Sequence, residues 1–515
     1  YYPCRILRDE KVRGEFVIVP TNMEWKGTKR NQALEEAERR IDQAVGVQYA
    51  KLAKRKGIEK EQWIRSEKDP FTIKEPLLIR VEEEKEQTGT RYVYNEKSRC
   101  YEEENDLETK EAVLVCAGQI PYDTGLGNHA RFGSVYNFRP YFELMKKCFE
   151  KADFSIGNLT TMICEDYLTT DKLDSEYSRN PYYTNGRKEY LDALKYAGFD
   201  CLAMAHPNNL DTGVNGLYKT INNIEKSGML SVGIGERKNK IFRVNGILVG
   251  VLSYTLDCFG WYRYISGEGA DCLLNLYSEE RAKRDIAELK NEGADFVLVY
   301  VNCGSEKEKI ALKGRKEVAM EIADNGADYI ICTIPNRVSK YYRYQTKDGR
   351  SVPIATSIGT LVSGKASEEE NLSVLLKIVL YKKPDGKIDL QDKYIPIKQF
   401  DMLEELPLPA VPALSCYYKR YDVKKFPRVK KRLGESLGNQ ITVSDERVVR
   451  LKTKNRPQLT YQEVYDLLGA EPSRGDWERI KLEKKAPMIA ARRDELTEGC
   501  VAILVNHYGY KKAEY

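Results

Sequence analysis

Three segments of this chain repeat one grammar. Leu191–Asp200 (LDALKYAGFD) runs into the apolar Cys201–Ala205, Ile286–Asp295 (IAELKNEGAD) into Phe296–Val301, and Val318–Asp328 (VAMEIADNGAD) into Tyr329–Cys332. A looser copy, Phe142–Asp153, precedes Phe154–Gly157. Each close copy reads as a helix stopped by glycine, where a left-handed residue costs least, then a short turn and a buried strand. Helix–strand alternation of this kind predicts an α/β domain with a largely parallel sheet.

The repeats occupy only the middle of a 515-residue chain, a length that accommodates several domains. Residues 1–109 are highly charged and weakly periodic. One amphipathic helix is expected there, over Asn31–Lys56, with Leu34, Ala37, Ile41, Val45 and Tyr49 at helical spacing. The acidic runs Glu82–Glu84 and Glu102–Glu104 read as solvated surface. The α/β pattern fills residues 110–400. A linker punctuated by Pro407, Pro409 and Pro412 follows over 401–458, and a small unit closes the chain over 459–515.

Composition removes several function classes. There are 83 Lys+Arg against 78 Asp+Glu, a net charge of +5, too small an excess for a dedicated nucleic-acid binder. No run approaches the about 18 apolar residues needed to cross a bilayer. His129, His206 and His507 are the only histidines, so a His-rich zinc enzyme is hard to build. The twelve cysteines are scattered singly, several within apolar runs such as Val113–Cys116 and Ile330–Cys332. That is how reduced, buried thiols behave, and it points to a cytoplasmic setting. Because the chain begins at Tyr1 and not at Met, a leading signal or anchor could precede it.

In open α/β sheets the ligand lies beyond the carboxyl ends of the strands. Those positions hold Gly118-Gln119, Asn158, the segment His206–Asp211 (with Asn208), Asn302–Glu306, Thr333–Asn336, and Thr356–Thr360 with Ser357. The set is rich in amides and hydroxyls, with one imidazole and two carboxylates, Asp211 and Glu306. Taken singly, such residues usually cap strands and make turns. Together, at one edge, they predict a polar pocket lined by Gln119, Asn158, His206, Asn208, Asp211, Asn302, Glu306, Asn336, Ser357 and Thr360.

In order along the chain, these residues resemble the CapA-type capsule-synthesis family, also called poly-γ-glutamate biosynthesis proteins. The likeness runs from about Ala112 to Gln399. Val115–Gln119 is similar to a family strand ending Gly-Asp, and Ala152–Thr160 to an Ala-Asp strand ending Asn-Leu-Glu. Ala197–Asp200 through Leu210–Gly213 resembles Ala-Gly-Phe-Asp followed by Ala-Asn-Asn-His and Asp-x-Gly. Leu217–Gly235 and Asn245–Thr255 look like the helix, turn and strand that follow. Asn302–Glu306 is similar to His-Trp-Gly-x-Glu, Gly326–Asn336 to Gly-Ala-Asp leading to Gly-His-His-Pro-His, and Ser357–Thr360 to Ser-Leu-Gly-Asn. The resemblance implies a metallophosphoesterase-like, layered α/β sandwich.

The departures fall on the family's metal-binding positions. Its first Asp is Gln119 here, the Glu after Asn-Leu is Thr160, and two histidines align with Asn208 and Asn302. Three more align with Thr333, Ile334 and Asn336, and the late Asn is Thr360. A dinuclear transition-metal site needs anionic oxygens and imidazoles. Only Asn158, Asp211, Glu306 and a displaced His206 remain as credible ligands.

At the end of the chain, Lys419–Arg432 carries eight basic residues and one acid, Asp422. It reads as a solvated linker or as a contact for an anionic polymer. Leu459–Gly469, with Thr460 and Glu463 in capping-box spacing, and Ile489–Val505 resemble the small α/β N-terminal domain of Mur ligases. No phosphate-loop motif occurs, so the chain is not itself a Mur-type ATP-dependent ligase.

The function expected from the sequence is binding, in capsule, polyglutamate or peptidoglycan-precursor metabolism, by a CapA-like protein depleted of metal ligands. It would need no cofactor, and its partner would be an anionic polymer or cell-wall precursor. Two alternatives stand beside it. One is a metal-dependent hydrolase using His206, Asp211, Asn302 and Glu306, or an oxygen-ligated Mg²⁺ or Ca²⁺ site at Asp211 and Glu306. The other is a scaffold that docks a Mur-like ligase through residues 459–515.

Overall fold

The glycines that end the repeated helices stand where a left-handed residue is required: Gly198, Gly293 and Gly326 have φ of 109°, 98° and 111°. The aspartate two residues further on has a role that periodicity does not reveal. In each copy it exchanges two hydrogen bonds with the first part of the neighbouring strand. Asp200 N–H donates to Ser155 O at 3.0 Å and its Oδ2 accepts from Ser155 N–H at 2.9 Å. Asp295 does the same with Leu248 (2.8 and 2.8 Å) and Asp328 with Val297 (2.9 and 2.8 Å). Even the loose copy conforms, Asp153 clamping Val113 at 2.8 and 2.8 Å. The carboxylate thus fixes where each new strand begins against the one beside it.

The computed structural model describes residues 36–46, 90–103, 109–132, 135–136, 138–142, 145–165, 167–170, 184–235, 238–258, 273–303, 308–364, 372–398, 411–412 and 426–443. The expected Mur-like unit at 459–515 lies outside the described residues, as does Glu306.

The strands used below are β1 (Val93–Asn95), β2 (Cys100–Glu102), β3 (Glu111–Ile120), β4 (Phe154–Leu159), β5 (Cys201–Ala203), β6 (Leu230–Val232), β7 (Lys240–Val244), β8 (Ile247–Thr255), β9 (Phe296–Asn302), β10 (Tyr329–Cys332), β11 (Tyr341–Gln345), β12 (Ser351–Ala355), β13 (Leu372–Lys382) and β14 (Ile388–Lys398). They form two sheets, in keeping with the layered sandwich that the resemblance implies, where the helix–strand repeats alone predict one. The first has the order β1-β2-β7-β8-β9-β10-β12-β11. The second has the order β6-β5-β4-β3-β13-β14, extended by Val411–Pro412, with Thr442–Val443 also on β14. Each has a parallel centre, β8 to β12 in one and β3 to β6 in the other, flanked directly by antiparallel pairs.

Alternation along the strands explains the layering. Phe296, Leu298 and Tyr300 of β9 pack with Leu114, Cys116, Ile156 and Leu376 in a core between the sheets. Val297, Val299 and Val301 turn the other way, onto Ala282, Ile286 and Leu289 of helix Glu279–Asn291 and Ala319 and Ile322 of helix Glu308–Asp324. On the far side, Val115, Ala117 and Leu202 meet Tyr190, Leu191 and Leu194 of helix Lys188–Ala197 and Val214 and Leu217 of helix Gly213–Lys226. The result is a layered α/β sandwich, helices outside and two sheets within. A strand covered on both faces is apolar throughout, whether its sheet is alone or stacked.

The outer segments join this body. Strands β1 and β2 lie on the N-terminal side of the boundary expected at 110, and β2 pairs in parallel with β7 through Tyr101 and Phe242. Glu102, expected as solvated surface, is a half-buried strand residue paired with Arg243 at 3.3 Å. Within the expected N-terminal helix, residues 36–46 are helical and bury Ala37, Ile41 and Val45 in the same core as Val214 and Leu217. Helix Phe426–Ser436, inside the expected linker, buries Leu433, and Leu437 just beyond it, against the core between the sheets.

Candidate functional site

The candidate site begins with an irregularity in β3. The strand is longer than the expected Val113–Ala117, and its pairing with β4 shifts register between Cys116 and Gln119. Gly118 sits at this bulge against the segment 357–361, where a Cβ would stand 1.9 Å from Gly359 O. The close approach lets Gln119 N–H donate to Gly359 O (3.1 Å) and Leu361 N–H to Gln119 O (2.8 Å). From the opposite sheet, the Tyr300 hydroxyl donates to Ala117 O at 3.0 Å. A bulge re-aims the next side chain, and here that side chain is Gln119.

Gln119 is the hub of the site. Its Nε2 donates to Thr333 O at the end of β10, joining the carboxyl edges of the two sheets. Its strand partner is Asn158, and Thr360 bridges to it on the other side. Residues opposite one another in a sheet project to the same face, so Asn158, Gln119 and Thr360 stand side by side. Asn302, the last residue of β9, reaches the same point, its Nδ2 donating to Thr333 Oγ1 at 3.2 Å. Asn208 arrives from the loop after β5, its Nδ2 donating to Thr160 O at 3.3 Å, while Thr160 N–H donates to Ile120 O at 3.2 Å.

These side chains share a chemical state. Asn158 spends its Nδ2 on Ala203 O at 2.8 Å. The amide nitrogens of Gln119, Asn158 and Asn208 thus each donate to a main-chain carbonyl, which fixes how those amides are turned. Several oxygens are left over. Asn158 Oδ1, Asn208 Oδ1, Asn302 Oδ1 and Thr360 Oγ1 are buried and have no hydrogen-bond partner among the described residues. Each such group costs about 1–3 kcal/mol if left unpaired.

The other predicted residues are placed differently. His206 is fully buried within its own turn: Nδ1 accepts from Asn208 N–H at 3.1 Å, and the main-chain N–H donates to Asn209 Oδ1 at 2.8 Å. Burial pushes its imidazole down to about 3, so the ring is neutral. Asp211 is also fully buried, and its Oδ2 accepts from Thr184 N–H at 2.7 Å and from the Thr184 hydroxyl at 3.3 Å. Ser357 donates to Pro335 O at 2.7 Å and accepts from Gly359 N–H at 3.1 Å. Asn336 enters through its main-chain oxygen, which accepts from Thr360 N–H at 3.0 Å. The structure therefore brings Gln119, Asn158, Asn208, Asn302 and Thr360 together, keeps His206 within its own turn, and commits the side chains of Asp211 and Ser357 to Thr184 and Pro335.

Three residues that sequence reasoning left out of the pocket complete it. Thr333 receives both Gln119 and Asn302, Thr160 receives Asn208, and Asn209 ties the turn by donating to Met204 O at 2.8 Å. Thr333 and Thr160 were visible as strand-end residues. Their main-chain oxygens, which receive Gln119 and Asn208, carry no sequence signal.

The donor set bears on a metal. Among the described residues, no three His, Cys, Asp or Glu side chains gather where they could hold one. The site's free oxygens are neutral amides and a hydroxyl, and these do not fit a dinuclear transition-metal centre.

Residues 113–365 match the family described as bacterial capsule synthesis protein PGA_cap. That stretch of the chain belongs to the PGA_cap family. Its matched span runs from within β3 to beyond β12 and holds every predicted pocket residue. The chain is 25% identical over 255 residues to the capsule biosynthesis protein CapA of Bacillus anthracis, covering 46% of this chain and 57% of that one. It is 24% identical over 262 residues to the PGA biosynthesis protein CapA of Bacillus subtilis, covering 48% and 63%. The match thus spans about three fifths of the length of these relatives. Among solved structures, the calcineurin-like phosphoesterase YfkN from Bacillus subtilis is similar at a TM-score of 0.34 and 12% identity, over 63% of this chain and 97% of that one. A 5'-nucleotidase from Candida albicans is similar at 0.31 and 11%, over 55% and 50%.

Proposed function

We propose that this PGA_cap domain acts in capsule, polyglutamate or cell-wall-precursor metabolism by binding a γ-glutamyl polymer or wall-precursor peptide in the amide-lined cleft, without dinuclear-metal hydrolysis. Membership of the family supports the setting. One observation carries the binding reading: Gln119, Asn158 and Asn208 turn their amide N–H groups inward to main-chain carbonyls, leaving a set of buried, unpaired oxygens at the joined edges of two sheets. A protein interior keeps such groups when a ligand or water completes them. A catalyst of the metallophosphoesterase kind would need charged ligands in the same places.

The test is a titration of the full chain with poly-γ-glutamate of defined length, followed calorimetrically, with Gln119→Leu as control. Saturable binding by the wild type and its loss in the variant are expected. Metal-dependent cleavage of the polymer, or of phosphoesters, would overturn the reading in favour of the hydrolase.

A further inference from the structure

We infer that the cleft receives a primary ammonium group, the amino end of its ligand. This deepens the binding reading above and rests on it only for the identity of the larger molecule. Four buried oxygens, Asn158 Oδ1, Asn208 Oδ1, Asn302 Oδ1 and Thr360 Oγ1, lack partners among the described residues. Asn158, Asn302 and Thr360 are 1%, 5% and 3% exposed, so water does not reach them freely. Strand register places Asn158 and Thr360 on the same face, on either side of Gln119. The Gln119–Thr333–Asn302 contacts bring the third oxygen to the same edge.

Three of the four are amide oxygens, which only accept, so a guest that completes the site must bring hydrogens. A carboxylate or phosphate brings only lone pairs and would face amide oxygens with their negative ends towards it. A divalent cation could be coordinated by these oxygens but would give up its hydration to a cage without a charged oxygen, where Mg²⁺ and Ca²⁺ sites use carboxylates. An ammonium group carries one positive charge and three N–H donors, which suits neutral acceptors in a pocket of this kind. Of the nearby ionisable groups, His206 is neutral, while the Asp211 carboxylate, which accepts from Thr184, and the buried Arg315, whose Nη1 donates to Ile334 O and Thr356 O, carry charges of opposite sign. The inference also resolves a tension in the proposed function, since a polymer of carboxylates would present to this cleft its amino terminus.

Thr360→Val is the decisive variant, because Thr360 Oγ1 has no partner to lose and valine keeps the shape. The full chain would be titrated with n-butylammonium chloride, sodium butyrate and CaCl2 in separate arms. Saturable binding of butylammonium alone, weakened at least about tenfold in Thr360→Val with no loss of melting temperature, is expected. Equal amine binding by the variant, or binding of butyrate or Ca²⁺ in place of the amine, would overturn the inference. A final pair of arms compares poly-γ-glutamate with a free amino terminus and the same polymer N-acetylated. Equal binding of both overturns the inference and leaves the binding reading standing. Amine binding with no polymer binding does the opposite.

Discussion

Asp328 and Val297 exchange two hydrogen bonds, Asp328 N–H to Val297 O at 2.9 Å and Val297 N–H to Asp328 Oδ2 at 2.8 Å. The same clamp recurs at Asp153, Asp200 and Asp295, so the repeated glycine–x–aspartate is a device for starting a strand in register. Asp328→Ala is expected to lower stability by about 1.5–3 kcal/mol, the range for a hydrogen bond to a charged group. Asp328→Asn, which keeps an acceptor, should lose less than half of that. Urea melts of both variants check this; equal losses would mean that the Lys290–Asp328 ion pair at 2.6 Å is the main contribution.

The unpaired hydroxyl of Thr360 gives an unusual expectation for stability. Thr360→Val removes a buried oxygen that has no partner among the described residues, so the unliganded protein should gain about 1 kcal/mol or stay unchanged. Gln119→Leu should instead lose about 1–3 kcal/mol, since it leaves Thr333 O without its donor. Thermal melts should therefore show a lower melting temperature for Gln119→Leu and no loss for Thr360→Val.

A pH dependence is built into the helix at residues 36–46. Asp42 is fully buried, and its Oδ1 accepts from Val214 N–H at 2.6 Å at the start of helix Gly213–Lys226. Burial pushes its carboxyl up to about 8, and the nearby Glu38 charge adds to this, while the N–H groups of Val214 and Asn215 act the other way. The folded value lies above the unfolded one, about 3.9. The contribution is therefore complete below about pH 4 and is lost as pH rises through about 8. Asp42→Asn cannot ionise, so its stability relative to wild type should grow between pH 5 and pH 9, by about 2–5 kcal/mol in all. A difference that stays flat across that range in thermal melts would contradict the burial of Asp42 as a charge-sensitive contact.

The described cysteines are free and buried, and burial pushes the thiols of Cys116 and Cys164 up to about 12. The thiolate is the reactive form. Iodoacetamide at pH 8 should leave both unmodified in the native protein and label them only on unfolding, as peptide mapping would report.

The sequence revealed the repeated units and the edge that carries the site, because helix stops and strand ends follow from local chemistry. Three things stayed hidden for tertiary reasons. Phe296–Asn302 is apolar on both faces and reads alike in one sheet or in two. Gln119 was expected after a strand and lies within one, because a bulge held by Gly118 against Gly359 extends β3. Asp211 and His206 look like ligands from spacing, yet Thr184, 27 positions away, claims the Asp211 carboxylate, and Asn208 and Asn209 enclose the imidazole.

Elemental analysis of the purified full chain, after dialysis against metal-containing buffer, tests the central claim most directly. A cleft of neutral amide and hydroxyl oxygens predicts well under one transition-metal ion per chain. Two stoichiometric ions per chain, retained through gel filtration and lost on Asn158→Leu, would contradict it.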